Sequence, residues 1–99
     1  VARGIYTTIH AQLKNGIGEV EVANSLSSAY ASSSFVRIIA PAIPEMKDVL
    51  HSNFCDIGYS VNNKNLVLCS TIDNLGKGAS GAAVQNLNIA LGLDESAGL

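Results

Sequence analysis

Ninety-nine residues bound a single small domain, which buries only about two thirds of the surface of its unfolded chain. Apolar residues make up 47% and charged residues 14%, against about 25% charged in soluble domains generally; so few charges cannot coat a lone monomer, and part of the apolar surface is expected to meet another domain or subunit. A net charge of -2 with six Lys plus Arg leaves no basic stripe for nucleic acid, and the longest apolar run, Ile38 to Ile43 with Pro41 inside it, falls far short of the roughly 20 residues that span a bilayer.

The chain opens at Val1 directly on a strand pattern, and is expected to be one portion of a longer protein. From Ile5 to Leu13 the residues alternate, with Ile5, Thr7, Ile9, Ala11 and Leu13 on one side, which predicts a half-buried strand. Gly16 and Gly18 then turn the chain. Val22, Leu26, Ala29 and Tyr30 recur at three- and four-residue steps behind Glu19 and Glu21, predicting a helix of about three turns with acids at its positive end. The β-branched stretch FVRII forms a second strand, and Pro41 and Pro44 impose an extended link. Cys55, Ile57, Tyr59 and Val61 share one face of a third strand, NNKN is a turn, and LVLCSTI returns as a strand interior to the sheet. The last helix is expected from about Lys77 to Leu91, with Ala79, Ala83, Leu87 and Ala90 or Leu91 as its stripe and Gly92 as a left-handed cap. Strand, helix, three strands, helix is an α+β order.

GKGASG, Gly76 to Gly81, spells G-x-G-x-x-G, but only 23 residues follow Gly76 and they hold no second strand, so the βαβ unit that the fingerprint requires is missing. Its lysine is also misplaced for a P-loop. A glycine-rich entry to the helix remains, and because Gly81 inside a helix costs about 1 kcal/mol relative to alanine, something is expected to approach it closely. His51 and Cys55 share a strand face about 13 Å apart, too far for a nucleophile and its base. Two separated cysteines and two histidines do not make a metal site. Both thiols read as reduced.

Four stretches in order, RGIYTTIHAQLK, FVRIIAPAIPEMKDV, SNFCDIGYSV and STIDNLGKGASGAAVQNLNIALGLDESAGL, resemble the C-terminal part of the N-acetyl-gamma-glutamyl-phosphate reductase family over nearly the whole chain. DNLGKGASGAAVQNLN is the most specific piece. That family usually carries a bulkier apolar residue where Gly76 stands, so the literal fingerprint arises from one glycine. The resemblance implies an NADP-dependent acyl-phosphate reductase of arginine biosynthesis, a cytoplasmic homodimer or homotetramer, in which hydride passes from NADPH to a cysteine-bound thioester of N-acetylglutamate. It places the nucleophilic cysteine and the proton-handling histidine upstream of Val1, so this chain supplies no catalytic residue and Cys55 is not the nucleophile. Sister reductases for aminoadipyl or aspartyl phosphate, and a non-enzymatic dimerisation module, are the alternatives.

By the same resemblance residues 1–73 belong to a mixed-sheet dimerisation and substrate domain, and residues 74–99 to a helix and tail that pack on an N-terminal Rossmann domain. Arg3 is the expected substrate contact, its planar guanidinium suited to a carboxylate or phosphoryl group. Asn74, Lys77, Gly78 and Ala79 are the expected contacts to NADP near the nicotinamide. Asn74 reads equally as a cap of the last helix, and Lys77 as facing phosphate or solvent. Arg37, in an apolar strand, reads as paired or at a sheet edge.

Overall fold

The computed structural model describes residues 3–99. The elements follow the expected order: β1 (Ile5–Gln12), α1 (Glu19–Tyr30), β2 (Val36–Ile38), β3 (Cys55–Asn62), β4 (Asn65–Ile72) and α2 (Gly81–Ala90), with a 3-10 turn at Met46–Asp48 and a π turn at Gly76–Ser80. The four strands make one mixed sheet in the order β1-β4-β3-β2, with β2 parallel to β3 and the other pairs antiparallel. LVLCSTI is interior, as its two apolar faces imply, and Arg37 lies on the edge strand β2.

β1 corrects one expectation. It pairs with β4 from Ile5↔Ile72 to Gln12↔Asn65, so the alternation set the register, yet every residue of the strand is exposed. No layer among the described residues covers it. The molecule is a slab of 43 × 33 × 17 Å, thin because α1 covers only one end of one face, where Val22 and Leu26 look across a shallow apolar groove to Leu66 and Leu68. Ala29 and Tyr30, expected on the same stripe, are exposed. The entry of α1 is fixed by Glu21, whose carboxylate accepts the Gly18 N–H at 2.9 Å, one half of a capping box. That bond lowers the Glu21 pKa.

The link after β2 is a turn with a cis Ala40–Pro41 bond where an extended path was expected, and it folds back over the sheet. Pro44 is fully buried there. Gly58 permits the approach, since a Cβ on it would stand 2.6 Å from the Ala42 carbonyl oxygen and 2.8 Å from Pro44 Cδ. Val49, Ile57, Phe35 and Val22 complete a small core. Phe35 meets Phe54 edge to face at 5.6 Å, and Arg37 caps the Phe54 ring at 4.2 Å while pairing with Asp56.

α2 is inverted relative to its expected stripe. Its inward positions are Gly81, Gln85 and Asn88, whereas Val84, Leu87, Ile89 and Leu91 are exposed. Amide groups hold it in place: Asn53 Nδ2 donates to Gln85 Oε1 at 2.9 Å, and Asn88 Nδ2 donates to the carbonyls of Glu95 and Ala97. Gly92, at φ +70, takes the left-handed conformation expected of a cap, its N–H bonding the Ile89 carbonyl at 3.2 Å.

Candidate functional site

At the end of the sheet where β1 begins and β4 finishes, a cleft of ≈ 380 Å³ is lined by Arg3, His51, Asn53, Leu75, Gly76 and Gly81, among others. Three segments far apart in sequence meet there because β1 and β4 are neighbours and the turn before β3 reaches the same edge. The antiparallel pair Ile5↔Ile72 puts residues 3 and 4 beside residues 73 and 74. Two side chains complete the join. Asp73, fully buried, receives the Arg3 Nε–H at 2.9 and 2.8 Å on its two oxygens, and Asn74 Oδ1 accepts the Gly4 N–H at 2.6 Å.

Asp73 gathers three more donors. Its Oδ1 accepts the N–H groups of Leu75 and Gly76 at 2.9 and 3.2 Å, and its Oδ2 accepts that of His51 at 2.5 Å. The Arg3 guanidinium foremost, and then these backbone N–H groups, hold the carboxyl well below the usual carboxylate range against the opposing effect of desolvation. It is therefore an anion at any working pH. Sequence reasoning passed over Asp73, although an Asp between the last strand residue and a turn is a signal for an Asx-type cap.

The expected cofactor contacts lie along the π turn. Asn74 does not cap α2; its oxygen serves Gly4, and among the described residues its Nδ2 donors have no partner. The ammonium of Lys77 turns inward, donating to Gln85 Oε1 at 2.6 Å and standing 5.9 Å from the Phe35 ring centre, so it faces neither open solvent nor the cleft. Gly78 and Ala79 are exposed, but the Gly78 N–H is spent on the Asp73 carbonyl at 2.9 Å. Close approach at Gly81 is explained within the chain: a Cβ there would meet Asn53 Oδ1 and stand 2.6 Å from the Gly76 carbonyl oxygen. Gly76 is equally confined, with the Ser52 carbonyl where its Cβ would be; a bulkier residue at this position requires the Ser52 turn to move.

His51 sits in a turn at φ +63, not in a strand, and makes no hydrogen bond to Cys55 among the described residues. Burial pushes the Cys55 thiol up, the nearby Asp56 adds to this, and Lys77 opposes it, the opposite of what a reactive thiolate needs. Cys55 and Cys69 are free. Among the described residues no three His, Cys, Asp or Glu side chains cluster to hold a metal, and no helix is long and apolar enough to cross a membrane.

A family model described as semialdehyde dehydrogenase, dimerisation domain, matches residues 1–74. Proteins named N-acetyl-gamma-glutamyl-phosphate reductase are similar over the full chain: 45% identical in Methanococcus maripaludis and 46% in Streptococcus thermophilus, covering 29% of each relative, and 47% in Listeria innocua, covering 30%. The chain thus spans less than a third of the length of these relatives. The matched residues take in all four strands and both sides of the Arg3–Asp73 join, and the chain belongs to the semialdehyde dehydrogenase dimerisation-domain family.

Proposed function

We propose that this chain is the C-terminal portion of an NADP-dependent reductase that converts N-acetylglutamyl 5-phosphate to N-acetylglutamate 5-semialdehyde in arginine biosynthesis, working in the cytoplasm as a homodimer or homotetramer. The observation that carries the reading is that the segments of Arg3 and Asn74, 71 positions apart in sequence, are joined at the sheet end that holds the cleft by adjacent bonds, Arg3 to Asp73 and Gly4 to Asn74. The division of labour is substrate and subunit contact in residues 1–73, and in residues 74–99 a helix that packs on a Rossmann domain contributed by the part of the enzyme this chain does not span. That part also brings the nucleophilic cysteine and the histidine.

The residues present fit a nicotinamide cofactor. Among the described residues Asn53, on the wall of the cleft, has a buried Oδ1 acceptor without a hydrogen-bond partner, and Asn74, next to the cleft residue Leu75, carries amide donors. NADPH supplies the hydride when bound. Asn74 would hold the cofactor beside Gly78 and Ala79, while Lys77 steadies the rim through Gln85. Arg3 uses only its Nε edge on Asp73, which leaves the two Nη groups to bind a carboxylate or phosphoryl group. Fixing both reactants against one edge is how binding geometry lowers a bimolecular barrier.

The test is NADPH oxidation by the complete enzyme, followed by absorbance, with N-acetylglutamyl, aminoadipyl and aspartyl phosphates in competition. Preference for the first is expected. Preference for another assigns the chain to a sister reductase, and turnover of none removes the enzymatic reading in favour of a dimerisation module. Within an active enzyme, Asn74→Ala is expected to raise KM for NADPH or slow hydride transfer, and Arg3→Leu to weaken acyl-phosphate binding with cofactor affinity intact.

A further inference from the structure

We propose that Asp73 is a positioning residue whose carboxylate ties the two halves of the site together, both oxygens aiming Arg3 while Oδ2 also holds the His51 turn on the substrate side and Oδ1 the Leu75–Gly76 entrance on the cofactor side. The proposal rests on the functional reading above.

The division is visible in the bonds. Oδ1 takes both backbone N–H groups of the entrance, Leu75 and Gly76. Oδ2 takes the N–H of His51 and the shorter of the two Arg3 contacts, at 2.8 Å. His51 is a non-glycine residue at φ +63, a conformation that persists only where its surroundings hold it, and the bond to Oδ2 is such a hold. Arg3 is anchored by Nε alone. Its side chain is one third exposed while that of Asp73 is fully buried, so the anchored edge faces the interior and the Nη end faces the cleft. A buried ion pair is weak grounds for stability, because an apolar pair of similar volume does as well. What an apolar pair cannot do is fix the direction of a guanidinium or satisfy three backbone N–H groups at once.

Asp73→Asn separates the halves. The amide oxygen takes the side with more donors, the Leu75 and Gly76 N–H groups, and the amide nitrogen is set against the His51 N–H, donor against donor, leaving Arg3 Nε one neutral oxygen in place of a two-oxygen carboxylate. In the complete enzyme KM for the acyl phosphate is expected to rise about tenfold to a hundredfold, the range for losing a hydrogen bond to a charged group, with KM for NADPH and kcat within about twofold of wild type. Combined with Arg3→Leu it is expected to add little to the loss from Arg3→Leu alone, since both act through the same guanidinium. Wild-type kinetics in Asp73→Asn overturn the proposal, and so does an equal rise in both KM values with a lowered melting temperature, the mark of a purely structural role. Should Asp73→Asn not yield folded enzyme, Arg3→Lys carries the test: it keeps the charge, loses the Nε–H, and is expected to raise only the acyl-phosphate KM, whereas a wild-type KM overturns the proposal. These outcomes are read against a wild-type enzyme that reduces the acyl phosphate; if wild type reduces none, the functional reading itself has failed.

Discussion

Gly81→Ala sets two opposing effects against each other at the entrance to α2. Alanine inside a helix is worth about 1 kcal/mol over glycine, so propensity alone makes the variant more stable. The new methyl, however, would lie 2.6 Å from the Gly76 carbonyl oxygen, 2.7 Å from its carbon, and against Asn53 Oδ1. The Gly76 carbonyl accepts the Gly81 N–H and cannot retreat without breaking the π turn. Asn53 can retreat only by giving up its bond to Gln85, a loss of about 1 kcal/mol. Overpacking of this kind adds about 1–3 kcal/mol, and subtracting the propensity gain leaves a net destabilisation of about 1–3 kcal/mol. With m near 2 kcal/mol/M, the urea midpoint is expected to fall by about 1 M at unchanged slope. In an Asn53→Ala background the penalty is expected to shrink, because one of the two obstacles is gone. Gly78→Ala is the control: its nearest neighbours stand at 3.4 Å, and a neutral or slightly raised midpoint is expected. A Gly81→Ala protein as stable as wild type, or more so, refutes the packing reasoning.

Arg37→Leu strands the Asp56 carboxylate, whose side chain is 4% exposed against 41% for its partner; with Arg37 half in water the loss is expected near 2 kcal/mol, below the range of fully buried pairs, and Arg37→Leu/Asp56→Leu should recover most of it in the same urea titration. Because the folded state holds the Asp73 carboxyl below its ordinary value, its contribution is complete above the unfolded pKa of about 3.9 and is lost as pH falls below it. Urea midpoints taken between about pH 7 and pH 3 are therefore expected to drop more steeply for wild type than for Asp73→Asn, and parallel curves would remove Asp73 from the acid transition.

The strands were legible because a period of two survives whether or not a face is covered. β1 kept its predicted place while losing its predicted burial, since alternation specifies which residues share a face and says nothing about what lies opposite. Arg37 was legible for the same reason, a charge in an apolar strand needing a partner. The site was half legible. Arg3 and Asn74 stood out by resemblance, and their convergence follows from the β1–β4 pairing, which no local pattern encodes. The local cap of Asp73 on Leu75 and Gly76 could be read from its place between strand and turn, whereas its bonds to positions 3 and 51 could not, since they join separate segments. Lys77 was misjudged because its direction depends on the π turn, whose extra residue per turn rotates the following side chains away from an α-helical projection.

That same turn explains why α2 shows its apolar stripe to the outside. Gly78 N–H bonding to the Asp73 carbonyl and Ser80 N–H to that of Leu75 commit the helix to a start fixed by Asp73, and from there Gly81, Gln85 and Asn88 fall on the inner side. Directional amide bonds can hold a helix at one rotation more tightly than apolar contact, which tolerates sliding. With rotation fixed from within, Leu87, Ile89 and Leu91 are each left more than half exposed, Leu87 and Leu91 on one face at i,i+4 spacing. β1 is in the same position, with Ile5, Tyr6 and Ile9 about half exposed on a strand that no element among the described residues covers. The Arg3–Asp73 join ties the two together, since β1 begins just after Arg3 and α2 follows the turn that starts at Asp73. The join is thereby the fixed point between a bare strand and a bare helix, and the cleft opens at that point.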